Sequence, residues 1–291
     1  MNTMKIQTLS IIAGGSTCNA RCPFCISQMT GKNIKVEPLN IRNFNKACRL
    51  AQINDVTNVI ITGKGEPTLY PGQITDYLKA LKKYNFPVIE LQTNAILFDK
   101  QQEKYVAYLK EWYRLGLTFI AVSIVHYNSE KNRKNYIPYE KSYPDLDKLV
   151  SLFHSYGYSV RLTCTLVKGY IDSAAEAKEM IKLAKTWRVE QLTLRKVAAP
   201  RISQNATVSR WTKAHEPTQK DLDNIEEYIV KNGNKIASFD YGGAIYDVEG
   251  QNVCFTNALT LDKNTENFRQ AIYFPDGHLR FDWQYQGAII F

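Results

Sequence analysis

The sequence has no long hydrophobic run. Nothing in it approaches the roughly 18 consecutive apolar residues that a membrane span requires. The apolar stretch at 9–13 is too short for the core of a secretion signal and leads straight into glycines. No low-complexity tract interrupts the chain. We therefore expect a globular protein that has no membrane partner.

The sequence also lacks the cysteine pattern of a disulfide-bonded secreted domain. It contains six cysteines, of which Cys48, Cys164 and Cys254 stand singly in apolar or mixed stretches. Small secreted domains instead space an even set of cysteines along the whole chain. We predict a cytoplasmic protein whose thiols stay reduced.

Acidic residues are fewer than basic ones in this sequence. The chain carries 37 Lys and Arg against 28 Asp and Glu, a formal net charge of +9. This balance favours anionic partners such as nucleotides, nucleic acid or acidic membrane surfaces, without choosing among them. An apolar share of 44% over 291 residues is ample for a continuous core.

Short aliphatic or β-branched runs alternate with helical stretches from the N-terminus to residue 197. This alternation predicts parallel βα units. Six strands with five intervening helices indicate an α/β fold, either an open barrel or a doubly wound sheet. The predicted strands span 5–13, 56–62, 87–93, 118–125, 159–167 and 190–197, and the predicted helices span 40–53, 73–84, 100–115, 143–156 and 174–187.

The pattern changes after Pro200. Residues 201–217 are polar and unpatterned, which indicates a linker or lid. A helix is predicted at 218–231, and a turn-rich, strand-like tail follows it. We therefore expect a core at 1–200, the linker or lid at 201–217, and a C-terminal cap or substrate-binding segment at 218–291.

Three cysteines crowd one loop directly after the first predicted strand. Cys18, Cys22 and Cys25 have the spacing C-x3-C-x2-C, at the strand end where α/β folds place active sites. Thiolates bind zinc, copper(I) or iron–sulfur clusters. Structural zinc takes four protein ligands, and the four histidines all lie far from this loop in sequence. A 4Fe–4S cluster held by three cysteines would leave one iron free for another ligand.

Two motifs resemble those of the radical S-adenosylmethionine (radical SAM) superfamily. One is this cysteine loop, with Phe24 just before its last cysteine. The other is Lys64–Pro67, which is similar to the superfamily's Gly-Gly-Glu-Pro motif, with Lys64 in place of the first glycine. A zinc knuckle, or cysteines spaced so by chance, is the alternative interpretation of the first motif.

The resemblance implies a fold, cofactors and an activity. The fold would be a partial (β/α)6 TIM-like barrel with a C-terminal α+β cap. A 4Fe–4S cluster would bind SAM through its free iron and, once reduced by a flavodoxin- or ferredoxin-type donor, cleave it to a 5′-deoxyadenosyl radical. The implied cluster ligands are Cys18, Cys22 and Cys25, and the implied SAM-binding residues are Phe24, Gly63, Lys64, Gly65, Glu66, Pro67, Asn94 and Ser123.

The tail bears on the substrate. It lacks a second cysteine cluster, but it loosely resembles the C-terminal region of the GTP cyclase of molybdenum-cofactor biosynthesis, without that enzyme's auxiliary cluster. Cys254, Arg269 and Asp276–Gly277 follow in the same order. This resemblance predicts a small nucleotide- or nucleobase-like heterocyclic metabolite as substrate. No catalytic side chain is assigned, and the predicted substrate-binding residues are Arg195, Asn252, Arg269, Asp276 and Asp282.

Three other functions stay open. Basic residues interleave with aromatic ones over 100–114 and 127–143, a pattern that suits phosphate contact and base stacking in tRNA or rRNA. A partner protein or peptide is another substrate class for such a radical enzyme. A metal-stabilised nucleic-acid-binding module is the alternative without catalysis, and in it the motif at 64–67 would have no role.

Overall fold

The computed structural model describes residues 5–31, 34–137, 139–239, 242–256 and 267–291. Within these ranges, eleven strands form one open and mostly parallel β-sheet, and two short strands pair separately. The strands are β1 (Lys5–Ile6), β2 (Leu9–Ile12), β3 (Asn58–Thr62), β4 (Val88–Thr93), β5 (Phe119–Ile124), β6 (Ser159–Leu166), β7 (Gln191–Lys196), β8 (Gly233–Phe239), β9 (Gly243–Val248), β10 (Gln251–Thr256), β11 (Asn267–Phe268), β12 (Ala271–Tyr273) and β13 (Leu279–Arg280).

The helices connect the parallel strands and carry the expected capping residues. Side chains of Asn40, Asp145 and Ser173 accept hydrogen bonds from backbone N–H groups at the start of the helix that follows each. The helices are α1 (Ile26–Met29), α2 (Ile41–Ile53), α3 (Pro71–Leu81), α4 (Ile96–Lys100), α5 (Gln102–Arg114), α6 (Ser129–Tyr136), α7 (Leu146–Ser155), α8 (Ala174–Thr186), α9 (Ala206–Ala214) and α10 (Gln219–Asn232).

The predicted α/β architecture is confirmed. Strands β2 to β7 lie side by side in chain order and all pair in parallel. On β6, Val160, Leu162 and Cys164 are fully buried, whereas the alternate residues Arg161 and Thr163 are only partly so. One face of the sheet is therefore apolar beneath the helices, and the opposite, inner face is polar.

The C-terminal tail extends the sheet at both edges. Strand β10 pairs in parallel with β7 and carries β9 and β8 beyond it. Strand β12 pairs in parallel with β2 and carries β13 beyond it. Because the outermost strands are β8 and β13, the sheet is not closed.

Several short helices were not predicted from the sequence. The segment 201–217 contains helix α9, whose N-cap Asn205 accepts from Val208 N. This helix packs on the cysteine loop, where Gln204 N donates to Met29 O at 2.8 Å and the rings of Phe24 and Trp211 lie 6.3 Å apart. Nine mostly polar residues gave no clear periodicity, so the tertiary contact rather than the pattern fixes this helix.

In the parts of the chain that the structure describes, no helix combines the length and apolarity needed to cross a bilayer.

Candidate active site

The two motif loops meet where β2 and β3 end. Glu66 N donates a hydrogen bond of 3.0 Å to Thr17 O in the cysteine loop. Gly65 allows this approach, because a Cβ added there would lie 2.0 Å from Thr17 O. A Cβ added at Gly63 would lie 3.1 Å from Ala13 O, which is a tight but less severe contact, and Pro67 begins a 3-10 turn over Pro67–Leu69. The glycines therefore serve close backbone contact between the loops.

The three cysteines of the motif share one short loop. Cys25 N donates to Cys22 O at 3.2 Å, and Cys25 is the N-cap of α1. Burial raises the pKa of the Cys22 thiol, and negative charge on Cys25 and Cys18 raises it further. The thiols are thus close enough to interact. Within the described ranges, however, no three His, Cys, Asp or Glu side chains converge as in a preformed metal site.

The surroundings of Cys18 fit a cluster and its ligand. Asn94 Nδ2 donates to Asn19 Oδ1 at 2.7 Å and lies 3.9 Å from Cys18 Sγ. Asn19 Nδ2 is buried and has no hydrogen-bond partner in the described part of the chain. An unsatisfied buried donor beside three thiols suits a group that brings acceptor atoms, such as cluster sulfide or a SAM carboxylate.

The Glu66 carboxylate joins the Lys64–Pro67 loop to the end of β4. Its Oε1 accepts from Thr68 N, Thr68 Oγ1 and Thr93 Oγ1 at 3.0, 2.6 and 2.6 Å, and its Oε2 accepts from Asn94 N at 2.9 Å. Burial raises the pKa of Glu66 despite these four bonds. In this arrangement Glu66 fixes the ends of β3 and β4, which positions Asn94.

Lys64 occupies the first-glycine position without backbone strain, since its φ is not positive. Its buried ammonium donates to Thr30 Oγ1 at 2.9 Å and to Thr30 O at 3.2 Å. It also lies 5.8 Å from the centre of the Trp283 ring. Burial lowers the pKa of Lys64 to about 8, although Asp282 and Cys25 act in the opposite direction. The lysine therefore joins the motif loop to the C-terminal tail.

The remaining predicted SAM-binding residues are Phe24, Ser123 and Asn94. The Phe24 ring makes an edge contact with Tyr136, with ring centroids 6.3 Å apart. Ser123 on β5 pairs in register with Thr163 on β6 and is partly accessible on the inner face. Asn94 follows β4 directly, next to Cys18.

The predicted substrate-binding residues do not form one cluster, since Arg195 is near the end of β7 and Asn252 is near the start of β10. Burial lowers the pKa of Arg195, and the positive charge of Arg269 lowers it further. Asn252 Oδ1 accepts from Gln191 Nε2 at 3.1 Å. At the other edge of the sheet, the Asp276 carboxylate accepts from Arg280 at 3.1 and 2.6 Å, and Asp282 Oδ1 accepts from the backbone N–H groups of Gln284 and Tyr285. Asp276 and Asp282 thus hold turns of the tail.

Sequence reasoning missed two buried polar side chains. Glu90, fully buried on β4, forms an ion pair with Arg161 on β6 and accepts from Gln92 Nε2 at 2.9 Å. The Tyr143 hydroxyl is buried without a hydrogen-bond partner in the described ranges. Burial raises its pKa, and negative charge on Cys22 and Glu66 raises it further. The alternation in "VIELQT" is a signal that could have put Glu90 on the polar face of the strand, but only the assembled sheet pairs it with Arg161.

The predicted interleaving of basic and aromatic side chains does not form one stacking surface. Tyr105, Trp112, Tyr136 and Tyr143 are all buried in the core. Tyr139, by contrast, is exposed: its hydroxyl donates to Asn19 O at 3.2 Å and Arg21 lies 5.0 Å above its ring.

Proteins of similar sequence are named as RNA methyltransferases. The chain is 27% identical over 183 residues to a probable dual-specificity RNA methyltransferase RlmN of Chlorobium phaeobacteroides, which covers 58% of this chain and 48% of that protein. A protein of the same name from Pelodictyon phaeoclathratiforme is 25% identical over 183 residues, covering 58% and 49%. The chain spans about half the length of the curated relatives it matches.

Solved structures of similar fold include SuiB of Streptococcus suis bound to its precursor peptide SuiA. The TM-score is 0.64 at 16% identity, and the match covers 97% of this chain and 61% of SuiB. A radical SAM methyltransferase from Sphaerobacter thermophilus gives a TM-score of 0.55 at 17% identity, covering 94% and 70%. At these identities the likeness concerns the fold.

The family model of the radical SAM superfamily matches residues 12–184, a stretch that contains the cysteine loop, the Lys64–Pro67 motif and strands β3 to β6. Since this match covers more than half of the residues, the chain belongs to the radical SAM superfamily and is an enzyme that uses a 4Fe–4S cluster and S-adenosylmethionine.

Proposed function

We propose that this enzyme modifies a nucleotide of RNA. The observation that carries the proposal is the pair formed by Tyr139 and Arg21 beside the cysteine loop. Tyr139 is 54% exposed, and the Arg21 guanidinium lies 5.0 Å above its ring. An accessible aromatic ring next to an arginine suits an unstacked base with its phosphate.

The position of this pair supports the proposal further. Tyr139 donates to Asn19 O, and Asn19 lies between Cys18 and Cys22. A base stacked on Tyr139 would therefore lie at the rim of the site where SAM is cleaved. The RNA methyltransferase names of the sequence relatives and the net charge of +9 agree with an RNA substrate.

We assign the following roles to the residues of the chain. Cys18, Cys22 and Cys25 hold the 4Fe–4S cluster, which supplies an electron for reductive SAM cleavage when it is bound. Gly63–Pro67, Asn94 and Ser123 hold SAM. With SAM bound, the inner face of the sheet would orient the substrate towards it and keep water away.

A small nucleotide-like metabolite is the second candidate substrate. Arg195 favours it, because this arginine lies on the inner face of the sheet, whereas Tyr139 is exposed. A free nucleotide can reach such a position without the unstacking that an RNA residue needs.

The test is anaerobic turnover with a panel of substrates. The protein, reconstituted with iron and sulfide and reduced with dithionite, is given SAM together with unmodified tRNA, unmodified rRNA or a set of free nucleotides. We expect RNA to raise the rate of 5′-deoxyadenosine formation and to carry a new mass on one nucleoside after digestion. Stimulation by a free nucleotide alone would favour the second candidate, and an inert RNA panel would contradict the first.

Two cysteine variants control this experiment. Cys22→Ala removes a proposed cluster ligand and should abolish both cluster and 5′-deoxyadenosine. Cys48→Ala removes a buried thiol within α2 and should preserve both. Cleavage of SAM by Cys22→Ala at the rate of Cys48→Ala would overturn the assignment of the cysteine loop.

A further inference from the structure

The C-terminal ends of three strands bring one arginine between two threonines. Thr165 on β6 pairs in register with Arg195 on β7, and Arg195 pairs with Thr256 on β10. Directly paired residues of neighbouring strands share a face of the sheet. The three side chains therefore form one row on the inner face, across the C-terminal ends of β6, β7 and β10.

Two members of this row lack partners. Thr256 is 7% exposed, and its Oγ1 has no hydrogen-bond partner in the described ranges. In the same ranges, no carboxylate or carbonyl accepts a hydrogen bond from the Arg195 guanidinium. Buried polar groups normally find partners, so this row has unused capacity for a ligand. Arg195 is only partly buried and a ligand can reach it.

The charges around the row favour an anion. Burial lowers the pKa of Arg195, and the positive charge of Arg269 lowers it further, while Tyr136 acts in the opposite direction. Cys254 lies two residues before Thr256 on the same strand. Burial raises the pKa of this thiol, and the positive charges of Arg161 and Arg269 act in the opposite direction. Glu90 neutralises Arg161 but is not among the groups that act on Arg195. An anion beside Arg195 would relieve the repulsion between the two arginines.

We propose that Arg195, Thr165 and Thr256 form a binding site for a phosphate group of the nucleotide substrate, an inference that rests on the proposed function. A guanidinium donates two parallel hydrogen bonds to a phosphate, and each threonine hydroxyl adds one donor. The row lies on the side of the cysteine loop. Tyr136 is close enough to Arg195 to affect its pKa, and the carbonyl of Tyr136 accepts a hydrogen bond of 2.7 Å from Arg21 N in that loop. A phosphate held there would leave the attached sugar and base on the inner face of the sheet, where Ser123 also lies.

The site is tested by binding rather than by turnover. The reconstituted protein with SAM, and without reductant, is titrated with the four ribonucleoside 5′-monophosphates and with the four matching nucleosides. We expect at least one monophosphate to bind at least about tenfold more tightly than its nucleoside, since the difference is one charge-assisted bidentate contact. Arg195→Gln should abolish the preference, Arg195→Lys should keep part of it, and Thr256→Val should weaken it. Arg42→Gln, which removes an exposed arginine on α2, should leave it unchanged.

Two results would overturn the site. One is an undiminished monophosphate preference in Arg195→Gln. The other is a loss of SAM affinity in Arg195→Gln with the preference retained, which would mean that the arginine binds the SAM carboxylate. Competition between a short RNA and the monophosphate would identify RNA as the source of the phosphate, and an absence of competition would identify a free nucleotide. Both of these results support the phosphate site.

The phosphate site and the proposed function can fail separately. If Arg195→Gln loses the monophosphate preference but the wild-type enzyme modifies no RNA, the site stands and the RNA function is wrong. If wild type and Arg195→Gln modify RNA equally well and the variant keeps the monophosphate preference, the function stands and the site is wrong. Thermal unfolding of each variant distinguishes a lost contact from a lost fold.

Discussion

Gly65 approaches Thr17 so closely that only a residue without a side chain fits between the two motif loops. A Cβ on residue 65 would lie 2.0 Å from Thr17 O and 2.7 Å from the attached carbonyl carbon. Both obstructing atoms belong to the backbone, so no rotamer change relieves the clash. The contact holds the cysteine loop against the carboxyl end of β3 and thereby sets where the three cysteines lie relative to the Lys64–Pro67 motif.

Gly65→Ala should therefore separate the two loops. We expect a loss of about 1–3 kcal/mol in the free energy of unfolding from overpacking, together with a lower iron content after reconstitution. Gly72→Ala is the matched control, because it adds the same methyl group on α3 with no atom within 4 Å. Urea unfolding and iron and sulfide assays of both variants check this. Equal behaviour of the two variants would mean that the loop contact is dispensable.

The contact between Lys64 and Trp283 should help to hold the C-terminal tail against the Lys64–Pro67 loop. Lys64→Met keeps the side-chain volume but removes the two hydrogen bonds to Thr30 and the contact with Trp283. We expect trypsin to cut the tail at Arg280 roughly fivefold faster, which corresponds to about 1 kcal/mol for a lost cation–π contact. Lys83→Met, which removes an exposed lysine over Tyr84, should leave the rate at Arg280 unchanged. An unaltered rate in Lys64→Met would show that the tail is held by other contacts.

The buried ion pair on the inner face predicts a strongly asymmetric double-mutant cycle. Arg161→Met leaves Glu90 fully buried without its counter-charge and should lower the free energy of unfolding by about 3–5 kcal/mol. The double variant Glu90→Gln/Arg161→Met removes both charges and should regain most of that loss. Urea unfolding of the two single variants and the double variant measures the coupling. Additive effects would mean that the pair contributes no mutual stabilisation.

The repeating βα core could be predicted from the sequence because its signals are local. Helix 174–187 was predicted and α8 spans Ala174–Thr186, since Ser173 caps an amphipathic stretch whose apolar side is buried. The placement of the tail strands could not be predicted in the same way. Strand β10 joins β7 and strand β12 joins β2 at opposite edges of the sheet, and such pairings depend on long-range contacts that no short sequence window contains.

In the candidate site, too, the local features could be predicted from the sequence and the long-range contacts could not. The spacing of Cys18, Cys22 and Cys25 and the glycines of the second motif were visible in the sequence because neighbouring residues of one loop form them. The hydrogen bonds from Thr93 and Asn94 to Glu66 join two strands and appear only once β3 and β4 lie side by side. The burial of Tyr136 and Tyr143 is likewise a tertiary effect, so a sequence-based interpretation placed them at a surface.

The buried imidazole of His126 predicts a pH dependence of stability. Its Nδ1 accepts from Asn128 N at 2.9 Å, and its Nε2 lies 2.9 Å from Lys131 Nζ and 3.3 Å from Glu176 Oε2, with the Tyr127 ring beside it. Burial, together with the charge of Lys131, lowers the pKa of His126 from 6.5 to about 4, although Glu176 acts in the opposite direction.

In the folded protein His126 therefore stays neutral to a lower pH than in the unfolded chain. The unfolded chain takes up the proton first as the pH falls below 6.5, so the stability present at neutral pH is lost progressively towards pH 4. We expect this residue to contribute a loss of about 2 kcal/mol between pH 7 and pH 5. His126→Gln should flatten the dependence over that interval, as measured by urea unfolding at half-unit pH steps. A slope that is identical in wild type and variant would assign the acid sensitivity to other groups.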